Sequence, residues 1–269
     1  MAVILECHAL NFRYGKTQIL RDISFDVEPG LFYAILGKNG SGKTTLLHCL
    51  NGILAPSAGT VEIEGRNIAT LSRKEIARHI SLVPQEHMDV FPFKVLDVVV
   101  MGRAPFLGMT ATPGEDDYRR AMDALKMLGY EKLANCNFNR ISGGERQIAL
   151  LATALVQTSK IMLLDEPTNH LDFNNQYRLL SQIKGLCRTR KTSVIATMHD
   201  PNMAMLFADR VILVKNGEII AKGRAKETMT TANIDTLYGI RTVEVGNIGN
   251  KPFFLPESAL SDSEMDDGV

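Results

Sequence analysis

The glycine-rich loop at residues 37–44, with the sequence GKNGSGKT, restricts the possible folds of this chain more strongly than any other segment. It follows a continuous apolar run at 32–36, which predicts a strand covered on both faces. The segment after the loop places Leu46, Leu47 and Leu50 on one face of a helix. A buried strand, a G-x-x-x-x-G-K-[ST] loop and a helix in this order indicate a phosphate-binding loop in an α/β fold.

Each residue type in this loop has a chemical reason. The glycines at 37, 40 and 42 let backbone N–H groups approach phosphate oxygens without a side chain in the way. Lys43 is expected to reach the β- and γ-phosphates of a nucleotide, and the Thr44 hydroxyl is expected to ligate Mg²⁺. The residues predicted to contact the nucleotide here are Gly37, Lys38, Asn39, Gly40, Ser41, Gly42, Lys43, Thr44 and Thr45.

Two adjacent carboxylates, Asp165 and Glu166, directly follow another apolar run at 161–164. This order resembles a Walker B segment, in which Asp165 would hold Mg²⁺ through a water molecule. Glu166 would act as the general base that polarises the attacking water. The pattern is weak alone, but the phosphate-binding loop upstream makes it specific.

Charge and apolar patterning exclude several classes of protein. Thirty Lys and Arg residues offset thirty Asp and Glu residues, which argues against a broadly basic nucleic-acid binder. No run approaches the roughly 18 consecutive apolar residues of a membrane span, and the first residues do not read as a secretory signal. The four cysteines are scattered, which predicts reduced and mostly buried thiols. We therefore expect a cytoplasmic protein that does not itself span a membrane.

Apolar periodicity predicts the layers of the fold. The segments 24–27 and 61–64 alternate apolar and polar residues, which indicates half-buried strands near the N-terminus. Continuous apolar runs recur at 161–164 and 193–197 with helical stretches between them. This alternation predicts a parallel sheet of the α/β class.

Three further segments have local signals. Residues 115–129 predict a surface helix, whose positive N-terminal end carries Asp116 and Asp117. Residues 211–221 predict a hairpin with Asn-Gly at its turn. The last 13 residues, 257–269, carry five acidic side chains and no Lys or Arg, which predicts a disordered tail.

The segment 141–147 reads ISGGERQ and resembles the LSGGQ signature of ATP-binding cassette (ABC) ATPases. Other motifs of that family are also present, and all of them occur in the expected order along the chain. They are the aromatic residue Tyr14, the glutamine Gln85, the D-loop TNHLD at 168–172 and the histidine His199. The matching motifs cover residues 14–199, and the chain is identified as a member of the ABC family.

The resemblance implies a role for each matching residue. Tyr14 would stack on the adenine ring, and His199 would touch the γ-phosphate and act with Glu166 in catalysis. Gln85 would sense both Mg²⁺ and a membrane partner. The expected Mg²⁺ ligands are then Thr44, Gln85 and Asp165.

The same resemblance implies a homodimer that holds two ATP molecules between its chains. The signature residues Ser142, Gly143 and Gly144 would close on the γ-phosphate of the ATP bound to the other subunit, since a helix N-terminus attracts anions. Asp172 of the D-loop would also act in trans. Glu145 stands where the family name implies Gln; we expect it to lie outside the phosphate contact and ATP binding to survive.

The resemblance also implies the domain organisation. An ABC ATPase domain over 1–240 would combine a RecA-like parallel-sheet core, an antiparallel β subdomain and an α-helical signature subdomain at about 87–156. An accessory segment at 241–256 and the acidic tail at 257–269 would complete the chain.

Thr153 stands where many relatives carry an arginine.

The D-loop sequence and the segment VLDVVVMGR at 95–103 look like those of metal-chelate importers. The implied role is ATP hydrolysis at the cytoplasmic face of the membrane. The subunits would power two transmembrane permease subunits, with an extracellular or periplasmic substrate-binding protein as an indirect partner. Alternatives are a zinc, manganese or molybdate importer, an exporter, or a soluble ABC ATPase outside transport.

Residues 86–110 are the predicted dock for the permease. The stretch is apolar, is interrupted by prolines and follows Gln85, and it includes Phe91 and Phe106. An ordinary core helix flanked by loops is the alternative for the same pattern.

Overall fold

Strands and helices alternate through most of the chain, as the recurring apolar runs predict. The computed structural model describes residues 3–85, 92–108, 110–169, 171–247 and 251–261. The strands are β1 (Leu5–Tyr14), β2 (Thr17–Val27), β3 (Phe32–Leu36), β4 (Ala58–Ile63), β5 (Arg66–Asn67), β6 (Ile80–Val83), β7 (Ile161–Leu164), β8 (Ser193–Met198), β9 (Arg210–Lys215), β10 (Glu218–Arg224), β11 (Thr242–Asn247) and β12 (Pro252–Pro256). The helices are α1 (Lys43–Leu50), α2 (Arg73–His79), α3 (Val95–Val100), α4 (Glu115–Leu128), α5 (Gly143–Val156), α6 (Phe173–Arg190), α7 (Pro201–Phe207), α8 (Ala225–Thr228), α9 (Thr231–Tyr238) and α10 (Ser258–Ser261).

The central sheet has six strands in the order β10-β9-β3-β8-β7-β6. β3 pairs in parallel with both β8 and β9, while β10, the second arm of the predicted hairpin, is antiparallel to β9. Along β3, Phe32, Ala34 and Leu36 enter one apolar cluster, and Tyr33 and Ile35 enter another. Both faces of the sheet are therefore covered, which confirms the α/β class and the buried strand before the glycine-rich loop.

Helices α3, α4 and α5 pack against one another and contribute to the cluster that contains Phe32. α4 ends at Leu128, one residue before the predicted end, because Gly129 adopts a φ of +77°. The backbone of Gly102 packs closely on α5, where a Cβ would lie 2.2 Å from the Thr153 carbonyl oxygen and 3.3 Å from Thr153 Cγ2. The Thr153 hydroxyl donates to the Ala149 carbonyl oxygen at 2.9 Å, and nothing in the structure explains the missing arginine.

The opposite face of the central sheet is covered by the antiparallel sheet β2-β1-β4-β5 and by α1. Leu46, Leu47 and Leu50 of α1 are fully buried in this second cluster. The prediction of an antiparallel β layer from the N-terminal strands is confirmed. Tyr14 ends β1, so the layer carries this aromatic residue at one strand terminus.

The C-terminal segment forms an antiparallel hairpin, β11-β12, that packs against α7. Helix α10 follows it, and the Glu257 N–H donates to the Arg241 carbonyl at 3.0 Å. The prediction of disorder from residue 257 onward is therefore wrong for 257–261, because Glu257 pairs with Arg241 and the next four residues form α10. The remainder of the predicted tail, 262–269, lies outside the described residues.

Within the described ranges, no helix is both long enough and apolar enough to cross a membrane. Cys7, Cys49 and Cys187 are buried and Cys136 is exposed, which confirms mostly buried, unpaired thiols. Burial raises the pKa of both Cys7 and Cys49 to about 12. These two thiols therefore stay protonated near neutral pH and are poor nucleophiles.

Candidate functional site

The glycine-rich loop folds around the ammonium group of Lys43. Lys43 is 5% exposed, and its Nζ donates to the carbonyl oxygens of Gly37 (2.9 Å) and Lys38 (3.2 Å). Burial lowers the pKa of Lys43, while the nearby charges of Glu166 and Asp165 oppose that shift. The ammonium is thus held in the loop as a positioned positive charge.

Two glycines of the loop leave no space for a side chain. A Cβ at Gly37 would lie 2.3 Å from the Val214 carbonyl oxygen, and a Cβ at Gly42 would lie 2.8 Å from Leu20 Cδ2. Gly42 also has a φ of +99°, which side chains rarely tolerate. The Ser41 hydroxyl is buried beside Gly37 and has no hydrogen-bond partner among the residues that the structure describes. A buried donor of this kind is costly unless an acceptor such as a phosphate oxygen reaches it.

A cavity of about 390 Å³ opens over this loop. Its lining consists of Ile19, Asn39, Gly40, Gly42, Lys43, Thr44, Thr45, Gln85 and Glu166. Two cavities of about 460 and 440 Å³ lie elsewhere, and none of the predicted site residues lines them. The fold therefore brings the loop, Gln85 and Glu166 to one opening although they are far apart in sequence.

The two carboxylates after β7 are fixed by the neighbouring strand β8. Asp165 is 2% exposed and Glu166 is 9% exposed. The Thr197 hydroxyl donates to Asp165 Oδ1 at 2.6 Å and accepts from the Glu166 N–H at 2.7 Å. Sequence reasoning missed this role of Thr197, whose only signal is its place near the end of a parallel strand.

Within the described part of the chain, the Glu166 carboxylate has three side-chain partners from separate segments. The Gln85 amide donates to Oε2 at 2.7 Å, and the Asn169 amide donates to the same oxygen. His199 Nε2 contacts Oε1. Glu166 itself has a φ of +47°, which is unusual outside glycine and is held by these surroundings. Asn169 was not singled out in the sequence, although it lies inside the D-loop motif.

The signature residues begin helix α5 and do not line this cavity. Ser142 is the N-cap, and its N–H and hydroxyl both donate to Glu145 Oε2, each at 2.8 Å. The Glu145 carboxylate completes a capping box with Ser142. That Glu145 lies outside the phosphate contact stays a prediction. A Cβ at Gly144 would lie 2.8 Å from Leu171 Cδ2, so the signature packs on the D-loop.

Asp172 and Tyr14 also lie outside the lining of the cavity. Asp172 caps α6, since its Oδ1 accepts from the Asn175 N–H at 2.8 Å. Tyr14 is 53% exposed and meets the Phe12 ring edge-on, with 4.8 Å between ring centroids. The predicted site residues thus form two groups. One group lies at the cavity, and the other, which consists of Tyr14, Asp172 and the signature residues, lies elsewhere on the same chain.

The donor set at the cavity fits a magnesium ion. Thr44, Gln85 and Asp165 offer hydroxyl, amide and carboxylate oxygens, which are hard ligands of the type that Mg²⁺ takes. Thr44 and Gln85 line the cavity, and Asp165 directly precedes Glu166.

Comparisons with known proteins identify the family of this chain. The family model described as ABC transporter matches residues 20–169, more than half of the chain. The ferric enterobactin transport ATP-binding protein of Escherichia coli strain K12 is 34% identical over 248 residues, covering 92% of this chain and 92% of that protein.

Two solved structures have the same fold. One, described as a metal-chelate type ABC transporter in an inward-facing conformation, has a TM-score of 0.84 at 32% identity, covering 95% of this chain and 98% of that one. The other is an ATP-binding cassette solved as a dimer in a post-hydrolysis state bound to ADP and Pi. It has a TM-score of 0.73 at 28% identity and covers 82% of this chain and 99% of that one. The chain therefore belongs to the ABC transporter family of ATP-binding proteins.

Proposed function

We propose that this chain hydrolyses ATP to power a membrane importer of metal chelates, such as ferric siderophores, haem or cobalamin. The observation that carries the hydrolytic role is the Glu166 carboxylate, fixed by Gln85, Asn169 and His199 beside the Lys43 loop. The substrate class rests on the two metal-chelate relatives described above, because the transported ligand does not touch this subunit.

The cavity supplies the parts of a phosphoryl-transfer site. Backbone N–H groups of the glycine-rich loop and the Lys43 ammonium bind the phosphates, and the buried Ser41 hydroxyl finds its acceptor there. Glu166 takes the proton of the attacking water, and His199 holds the carboxylate and meets the γ-phosphate. Tyr14 stacks on the adenine ring from its exposed position at the end of β1.

Thr44, Gln85 and Asp165 are the residues that would hold Mg²⁺ in this site. When bound, the ion neutralises charge on the phosphates. The contact between Thr197 and Asp165 orients the carboxylate before metal and nucleotide arrive.

A homodimer accounts for the signature and D-loop residues that lie away from the cavity. Ser142, Gly143, Gly144 and Asp172 complete the site of the second subunit, which follows the dimeric state of the related cassette with ADP and Pi. Binding of two permease subunits then places the dimer at the cytoplasmic face of the membrane. The substrate-binding protein acts on the permease, and nucleic acid has no part in the cycle.

The permease dock is proposed at the surface around Phe106. Helix α3 is part of the core, because Val95, Val98 and Val99 are buried, so the core-helix alternative holds for that stretch. Phe106 is 37% exposed between the guanidinium groups of Arg103 (4.3 Å) and Arg78 (5.8 Å). An exposed ring flanked by cations suits an apolar helix of the partner that ends in carbonyl or acidic groups. Phe91 lies outside the described residues.

Purification of the tagged chain from its native cells in mild detergent tests the function as a whole. Mass spectrometry is expected to identify a polytopic membrane protein at a 1:1 ratio. Phe106→Glu is expected to lose that partner and to keep nucleotide binding, because the ring lies outside the cavity lining.

Ile220→Glu is the matched control, since Ile220 is also 37% exposed but lies on β10. It should retain the membrane partner. Co-purification of ribosomes or DNA, or of no partner at all, would overturn the importer proposal. If the Phe106→Glu variant retained the permease, the proposed docking surface around Phe106 would be wrong.

The capping box of the signature leads to a second prediction. The Glu145 carboxylate occupies both Ser142 donors, so a phosphate from the second subunit must displace it against like-charge repulsion. Glu145→Gln is expected to lower the ATP concentration for half-maximal dimerisation about tenfold. Light scattering recorded at increasing ATP concentrations measures the concentration for half-maximal dimerisation.

Helix α2 offers a matched control for this substitution. Ser72 donates to Glu75 Oε2 through its N–H (2.9 Å) and its hydroxyl (2.8 Å), which is the same capping box. Glu75→Gln should leave the ATP dependence of dimerisation unchanged. An equal effect of both substitutions, or weaker dimerisation of the Glu145 variant, would refute this role of Glu145.

A further inference from the structure

The backbone of His199 has a partner 39 residues further along the chain. The hydroxyl of Tyr238, the last residue of α9, donates to the His199 carbonyl oxygen at 2.7 Å. Burial, with a contribution from the charge of Asp200, raises the pKa of Tyr238. The hydroxyl therefore stays protonated and remains a donor at neutral pH.

Helix α7 joins His199 to the same C-terminal segment. Asp200 caps this helix, with its Oδ1 accepting from the N–H groups of Asn202 (2.7 Å) and Met203 (3.2 Å). The Asn202 side chain in turn exchanges two hydrogen bonds with the backbone of Phe254 in β12, at 3.0 and 2.9 Å. The first turn of α7 is thus tied to the hairpin.

The other end of α7 is held by Lys251, which directly precedes β12. Its Nζ donates to the carbonyl oxygens of Met205 (2.8 Å) and Leu206 (2.5 Å), in the last turn of the helix. A cation on the last carbonyls also stabilises the negative end of the helix. The hairpin therefore contacts both ends of the helix that follows His199.

Helix α9 is fixed to the hairpin and approaches the phosphate-binding loop. Asp235 Oδ1 accepts from the Thr242 N–H (2.7 Å) and hydroxyl (2.6 Å) at the start of β11. A Cβ at Gly239, directly after Tyr238, would lie 3.5 Å from Lys38 Nζ. The end of α9 thus reaches the catalytic region at both His199 and the loop.

We propose that the C-terminal segment, residues 231–247 and 251–256, positions His199 against Glu166, with Tyr238 as the positioning residue. This inference rests on the proposed ATPase function. The segment anchors the His199 carbonyl and the helix behind it, while the imidazole, on a side chain that is 37% exposed, remains in contact with Glu166. A displacement of α9 or the hairpin would change the His199–Glu166 contact. A conformational change in the C-terminal segment would therefore change the rate of ATP hydrolysis.

Tyr238→Phe removes only the hydroxyl and tests this role. We expect kcat for ATP to fall about tenfold, since small misplacements of catalytic groups are costly, while KM for ATP stays within about twofold. The imidazole NMR signal of His199 should shift as well. In a His199→Ala background, Tyr238→Phe should lower kcat no further, because the residue acts through His199.

Tyr33→Phe is the matched control for the loss of a buried tyrosine hydroxyl. Tyr33 is 4% exposed in β3, and its hydroxyl accepts from the Glu28 N–H at 2.9 Å. The Tyr33→Phe variant should leave kcat for ATP and the His199 NMR signal unchanged. Equal kcat losses in the two tyrosine variants, or a full effect of Tyr238→Phe in the His199→Ala background, would overturn the inference.

The NMR readout separates this inference from the proposed function. A wild-type chain without ATPase activity would refute the proposed function. The His199 signal would still report whether Tyr238 positions that residue. An unshifted signal in an active Tyr238→Phe variant would refute the inference alone.

Discussion

Glu166→Gln is expected to lower ATP turnover at least about 100-fold and to preserve ATP binding, since a positioned general base contributes about 10²–10⁴-fold. Glutamine keeps the shape of the side chain and cannot take a proton from water. It also removes a negative charge near Lys43 and the incoming phosphates. The ATP-bound dimer should therefore accumulate, which size-exclusion chromatography with ATP can detect alongside a phosphate-release assay.

Glu28→Gln is the control for loss of a partly buried carboxylate. Glu28 pairs with Arg210 at 2.5 Å and does not line the cavity, so this variant should hydrolyse ATP at the wild-type rate. Normal turnover by Glu166→Gln would show that another group takes the proton. Loss of ATP binding by that variant would contradict the separation of binding from chemistry.

Lys43→Ala is expected to weaken ATP binding by at least about 100-fold, because a buried point charge that meets two phosphates is lost. Burial already disfavours the charged form of Lys43, so the variant should unfold at nearly the wild-type temperature without nucleotide. ATP should raise the unfolding temperature of the wild-type chain and not that of the variant. Thermal scans and fluorescent-nucleotide titrations measure both effects.

Lys160→Ala removes a lysine that pairs with Glu64 at the surface, at 2.5 Å, and serves as the control. It should bind ATP as the wild type does. If Lys43→Ala bound ATP with an affinity within a few-fold of that of the wild type, the assignment of Lys43 to the phosphate site would be wrong.

Local patterns in the sequence predict the parts of the fold that depend on neighbouring residues. The run 32–36 is apolar at every position because both faces of β3 are covered, so its limits and those of β7 match the structure. The capping role of Glu145 is also local, since Ser-x-x-Glu is a recognisable pattern. A helix that starts at Ser142 with Glu145 in its first turn is therefore readable from these four residues, and the structure has that cap.

Long-range partners are the part that one sequence cannot reveal. Thr197 reaches Asp165 because β8 happens to lie beside β7, and Tyr238 reaches His199 across a separate helix. Neither contact leaves a spacing or periodicity in the chain. The predicted site residues were found through motifs, whereas the residues that orient them follow from strand order.

That strand order also governs how the chain can assemble during synthesis. β3 is hydrogen-bonded to β8 and β9, with Phe32 opposite Val194 and Tyr33 opposite Arg210. At roughly 5–20 residues per second, a ribosome needs on the order of ten seconds to supply these neighbours. Until then the nascent chain carries an apolar strand with two open edges, which is a target for chaperones or for aggregation. Truncated products that end before residue 193 should therefore be cleared as unfolded chains, and none should persist as a nucleotide-binding fragment.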